Sequence, residues 1–240
     1  MKILSTTIVM LILTIVLFGC APRTKEKQLE KFITAHVEKI KPIRKKASLA
    51  YWNAAITGNS KDYDKFSKLQ LKIRQIYTNP EEFTFLRDIK ESGQVKDAKL
   101  ARQLDELYNA YLENQIEPQL LKKIVDLGTE IEKNFSTFRG TIGTEKVTTN
   151  EIKEILKTET DSVKRKEAWL ASKQVGHVVA TDIIRLVKLR NEAARKVGFD
   201  NYHTLSLTIA EQNIEELDEI FNKLYELTNE PFAKLKDDLD

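Results

Sequence analysis

The chain carries three histidines and one cysteine in 240 residues, and their spacing limits the chemistry they can do. His36 is followed by Val37-Glu38, His177 by Val178-Val179 and His203 by Thr204-Leu205. No two histidines stand three or four residues apart, so no helical pair can grip a metal, and no H-E-x-x-H is present. His36 adjoins an apolar stripe with Phe32, Ile33 and Ile40. It reads as a packed or cleft-edge histidine, with a ligand or substrate contact as the other reading, and the same pair of readings holds for His177 and His203. One cysteine excludes a disulfide framework within the chain and any zinc site built on several thiolates. Gly140-x-x-Gly143 lacks the strand-then-helix setting and the lysine of a phosphate loop. Lys39, Lys41, Arg44, Lys45 and Lys46 form a basic cluster that reads as a solvated helix face or a contact with anionic lipid. Tyr51-Trp52 and Tyr108/Tyr111 suit a core or a groove lining equally. With 39 Lys+Arg against 36 Asp+Glu the net charge is only +3, which gives no electrostatic case for nucleic acid. The residues alone assign no catalytic and no metal-ligating position.

The cysteine has another use. Lys2 supplies a positive n-region, and Ile8 to Phe18 is an apolar run broken only by Thr14, suited to a signal-peptide h-region and short for a bilayer span. Leu17-Phe18-Gly19-Cys20 then resembles the lipobox of bacterial lipoproteins. The resemblance implies cleavage after residue 19 and acylation of Cys20, with chains enough for stable anchoring; an ordinary signal peptide or an uncleaved anchor is the other reading. The organisation expected is a signal peptide over 1–19, a tether over 20–27 and a helical domain over 28–240. The expected place is the bacterial cell envelope, lipid-anchored and facing the periplasm or the exterior.

Few breakers (8 Gly, 5 Pro) and apolar residues at helical spacing predict an all-α fold with one small extended or β-hairpin segment near 138–147. The first helix spans Gln28 to Ile56, with Pro42 expected to kink or split it. A second carries Phe66, Leu69, Ile73 and Ile76. Asn79-Pro80-Glu81-Glu82 opens a third, ending near Ser92-Gly93. A fourth runs through Leu100 to Leu112, and Pro118 opens a fifth reaching Phe135. Thr-rich, Gly-containing sequence from Phe138 to Val147 breaks the helical period. Thr148 and Glu151 form a capping box for a short helix. Asp161 caps one long helix through Trp169 and Ala194, ending at Gly198. The last helix starts at Asn213 to Glu216, and its stripe of Leu217, Ile220, Phe221, Leu224, Leu227, Phe232, Leu235 and Leu239 meets no stop signal. Asp237, Asp238 and Asp240 sit where a helix end favours cations, so a longer protein, of which this is the N-terminal part, is expected, with a frayed, unremarkable terminus as the other reading.

Three stretches carry a resemblance: Phe138-Arg139-Gly140-Thr141 with Glu145 to Ile152; Arg165 to Gly176; and Leu189 to Phe199 with Asn201-Tyr202. In this order they resemble the N-terminal half of bacterial relatives of angiotensin-converting enzyme, the peptidyl-dipeptidase A family of zinc metallopeptidases. Glu230 to Leu235 fits as well, and the likeness covers roughly residues 27–240. It implies a nearly all-helical protein with a deep cleft, N-terminal helices acting as a lid that admits oligopeptides, and zinc held by H-E-x-x-H and a downstream Glu. Those ligands are absent from this chain, so the resemblance implies zinc in a longer protein, none bound here, and an inactive fragment. The rival reading is a non-catalytic helical lipoprotein serving as a binding or scaffold module in the envelope.

Overall fold

A computed structural model describes residues 21–239. Helix α1 (Ala21–Thr57) lies against α2 (Ser60–Ile76), α3 (Pro80–Ser92) and α4 (Ala98–Leu112). Helix α5 (Pro118–Thr137) leads to a two-stranded hairpin, β1 (Gly140–Ile142) and β2 (Glu145–Val147). Then follow α6 (Thr149–Thr158), α7 (Ser162–Lys173), α8 (Val175–Lys196), α9 (Tyr202–Ile209) and α10 (Ile214–Leu239). The all-α class with a small hairpin is thus as expected, the strands pairing antiparallel with Gly140 opposite Val147.

The helix starts follow local capping chemistry. The Asn79 side chain accepts from the Glu81 and Glu82 amides, with Pro80 at the first helical position. Asp97 accepts from the Leu100 amide, and Thr148 and Glu151 make the full reciprocal capping box. Each such oxygen satisfies an N–H that the first helical turn leaves without a partner. Gly93 ends α3 in the left-handed region at φ 61°, which glycine adopts without a Cβ penalty.

Three apolar clusters hold the elements. The first joins Leu29, Ile40 and Ala47 of α1 to Ile73 and Ile76 of α2, Leu86 and Ile89 of α3, and Leu104 and Tyr111 of α4. The second packs Leu121, Ile124 and Val125 of α5 on Leu186 and Ala193 of α8. The third is small: Ile152 of α6 with Ala168 and Ala171 of α7, backed by Ile142 and Val147 of the hairpin.

Three expectations differ from the structure. The segment 20–27, read as a tether, is helical from Ala21 onward. Pro42 does not split α1, which is one continuous helix. Pro42 and Glu38 are both exposed, so the Glu38 carbonyl left without its i+4 donor faces water rather than a dry interior. The long helix expected from Asp161 to Gly198 is broken at Gln174 into α7 and α8. The hairpin meets the chain at this point. The Gln174 side-chain amide accepts from the Thr141 N–H at 2.8 Å and donates to the Thr141 carbonyl at 3.0 Å, extending the β1 edge as a third strand would. Gly140 makes this approach possible, since a Cβ there would lie 2.7 Å from the Ala171 carbonyl oxygen. Gly140→Ala is therefore expected to push the hairpin off α7 and cost about 1–3 kcal/mol, read as a lowered urea midpoint at unchanged m-value.

Candidate functional site

Around α1 the first four helices enclose a polar group rather than more hydrocarbon. His36 is 6% exposed, Tyr77 6% and Tyr111 0%. His36 Nε2 stands 3.4 Å from the Tyr77 hydroxyl, and His36 Nδ1 stands 3.3 Å from the Tyr111 hydroxyl. The Arg44 guanidinium donates to the Tyr77 hydroxyl at 2.9 Å, and the Tyr111 hydroxyl donates to Glu82. Lys39 Nζ lies 3.7 Å from the other Glu82 oxygen.

Donor inventories fix the direction of this chain. Arginine can only donate and a carboxylate can only accept. Tyr77 therefore accepts from Arg44 and gives its proton to His36 Nε2, while Tyr111 gives its proton to Glu82 and accepts from His36 Nδ1–H. The sequence Arg44, Tyr77, His36, Tyr111, Glu82 is satisfied by one state of the imidazole, neutral with the proton on Nδ1. Burial lowers the His36 pKa from its ordinary 6.5, against an upward pull from Glu82 and aided by Lys39 and Arg44. Burial, and then donation to Glu82, moves the Tyr111 phenol well above its ordinary range.

The other sequence candidates do not converge. His177 on α8 and His203 on α9 are exposed. Cys20 and its lipobox lie outside the described residues. Lys39 and Arg44 of the basic cluster turn to Glu82 and Tyr77. Tyr111 goes to the core, whereas Tyr51 and Trp52 stay outside at 39% and 64% exposed. Among the described residues no three His, Cys, Asp or Glu side chains could hold a metal ion. Both nitrogens of the buried histidine are already engaged by tyrosines, so the residues present do not fit the zinc that the resemblance implies. Nor is any helix of the described residues long and apolar enough to cross a membrane.

What the chain presents instead is uncovered apolar surface on two helices. Helix α8 buries Val179, Leu186, Ala193 and Ala194, yet Val178, Ile183, Ile184 and Val187 on its remaining surface are exposed. Helix α10 buries nothing, although Ile220, Leu224, Leu227 and Leu235 recur at the three- and four-residue spacing of a packing seam. Such surface is the mark of an interaction face or of a wall awaiting its complement.

The hub sets a pH dependence. Because folding lowers the His36 pKa, the folded state binds fewer protons than the unfolded chain below about pH 6.5. The His36 contribution is present in full above that value and is lost as pH falls through it toward the lower folded pKa. Urea midpoints measured from pH 8 to 5 are expected to fall, with a shallower slope for His36→Gln. Tyr111→Phe, which leaves a buried imidazole N–H without its acceptor, is expected to cost about 1–3 kcal/mol at pH 7.

No curated protein sequence matches the chain at a significant level. The family model described as angiotensin-converting enzyme, a peptidase family, matches residues 23–237, which runs from α1 nearly to the end of α10. The chain belongs to the angiotensin-converting enzyme family of peptidases.

Proposed function

We propose that the chain forms the N-terminal lid and cleft-wall portion of a membrane-anchored zinc peptidase that hydrolyses short peptides. The family match over residues 23–237 carries this reading, and the uncovered apolar faces of α8 and α10 support it. An amphipathic helix normally buries its apolar stripe, and the complement of α8 and α10 would be the segment that brings the zinc ligands. In this arrangement the metal would polarise the scissile carbonyl and activate water; the part played by the present residues is to shape and cover the cleft. The hub at His36 gives the lid helices a fixed mutual geometry, which suits a wall that must exclude folded proteins. Acylation of Cys20 would hold α1, and with it the lid, near the outer surface of the cytoplasmic membrane or the periplasmic face of an outer membrane.

Two measurements test this. The complete gene product is expected to cleave internally quenched short peptides, to lose that activity to a chelator and to regain it with zinc, while residues 20–240 alone give no turnover. A complete product that stays inactive with zinc would favour the non-catalytic binding module. For the anchor, Cys20→Ser is expected to abolish metabolic labelling with a fatty-acid analogue and to move the protein to the soluble fraction; undiminished labelling would overturn it.

A further inference from the structure

On the outer side of the α1–α2 pair lies a groove of about 500 Å³ whose lining includes Arg44, Ser48, Tyr51, Trp52, Gln70 and Glu132. Its floor is apolar, made by Ala47, Phe66 and Ile73. The volume falls in the range of small-ligand sites. Tyr51 and Phe66 pack with ring centroids 5.0 Å apart, and Trp52 beside them is 64% exposed.

The charges at the two ends of this groove are opposite. Arg44 uses part of its guanidinium on Tyr77, and among the described residues no carboxylate lies within ion-pair distance of it. Its remaining N–H groups are still available, since a guanidinium has five. Glu132 accepts from the Tyr51 hydroxyl at 2.8 Å, which raises the Tyr51 pKa, and it too has no cation partner among the described residues. Arg44 and Tyr51, whose hydroxyl meets Glu132, are seven residues apart on α1, so their Cα atoms are about 10 Å apart along the axis. An extended peptide covers that length with about three residues.

We propose that this groove binds a short peptide with both termini free. Its carboxylate pairs with Arg44, its amine with Glu132, and an apolar or aromatic side chain lies on Tyr51, Trp52 and Phe66. Ser48 and Gln70 can meet the peptide amides, since a hydroxyl and a carboxamide each donate and accept. Arginine matches a carboxylate bidentately, and stacked aromatic surface adds affinity without demanding one sequence. The site rests on the peptidase reading only for the choice of peptide as ligand. It places a peptide-holding surface on the lid helices themselves, apart from any catalytic metal.

The test is isothermal titration calorimetry of the complete gene product in chelator, so that nothing is hydrolysed. Three ligands are compared: Ala-Phe-Ala with free termini, its C-terminal amide and its N-acetyl form. The wild-type protein is expected to bind the free peptide about tenfold more tightly than either blocked form, as the loss of one partly exposed charged hydrogen bond predicts. Arg44→Gln is expected to erase the difference between acid and amide, and Glu132→Gln the difference between free and acetylated amine. Trp52→Ala, an exposed position, is expected to weaken all three about equally. Because Arg44 also holds Tyr77, Arg44→Lys serves as the folded control that keeps the charge and part of the acid preference. Equal affinity for the three ligands in the wild-type protein, or discrimination surviving in Arg44→Gln and Glu132→Gln, would overturn the proposal. Neither result alters the outcome of the zinc-dependent hydrolysis assay, and an inactive enzyme leaves the titration readable.

Discussion

A buried imidazole needs a partner for each of its nitrogens, and meeting that need at His36 orders the first four helices. An unsatisfied polar atom inside a protein costs about 1–3 kcal/mol, so the two tyrosines cannot drift independently of α1. Tyr77 is the residue at which α2 ends, and two residues later Asn79 caps α3. That turn sets Tyr77 on one side of His36 and Glu82 near the other. Glu82 sits in the first turn of α3, where the helix dipole favours a carboxylate, and there it takes the Tyr111 proton. A capping choice at Asn79 and a hydrogen bond between α3 and α4 are therefore parts of one geometric solution.

The rest of the chain is held more locally. Asn114, 1% exposed, ties the α4–α5 connection to α2 through Arg74 at 2.7 Å and to α4 through the Ala110 carbonyl at 2.8 Å. Gln115 adds bonds to the Tyr77 and Tyr111 carbonyls, so the turn into α5 is braced by the same two residues that hold His36. Helix α5 then meets α2 and α8, and beyond that each cluster is smaller. Helix α10 is the least restrained, burying none of its side chains and exposing a row of large apolar ones.

The parts of this fold legible in the sequence are those governed by neighbours in the chain. Asn79-Pro80, Thr148-x-x-Glu151 and Asp97 specify starts through bonds spanning two or three residues, and each start is where the spacing places it. The hairpin at 140–147 shows through its loss of helical period. What escaped reading depends on distant partners. Gln174 sits in a run with no glycine or proline before Gly176, and its bonds at the break go to Thr141, 33 positions away. Helix α9 has only eight residues, too few for its Tyr202, Leu205 and Ile209 to stand out as a stripe, although Asn201, which caps the Thr204 amide, marks its start. His36 beside its apolar stripe reads as packed or cleft-edge, and the structure buries it; Tyr77 carries no signal of its role, and Arg44 is indistinguishable from Lys45 and Lys46 as one more cation. Its special position comes from facing Tyr77 across 33 residues.

Arg44 is also where the interior and the surface of this molecule meet. A lysine there serves both less well: its ammonium is a compact point charge, while the planar guanidinium offers separate N–H groups in fixed directions. One edge can therefore stay with the Tyr77 hydroxyl while another meets a ligand carboxylate. Neutralising Arg44 from outside would remove one of the positive charges that hold the His36 pKa down, and so ease protonation of the hub. The coupling runs through a single side chain and one hydroxyl, and it is reciprocal by thermodynamic necessity: whatever favours a protonated His36 also favours an anion on Arg44. Continuity of α1 through Pro42 is what permits this, because a break there would free Arg44 from the register that sets it on Tyr77, which His36, two turns earlier, also meets.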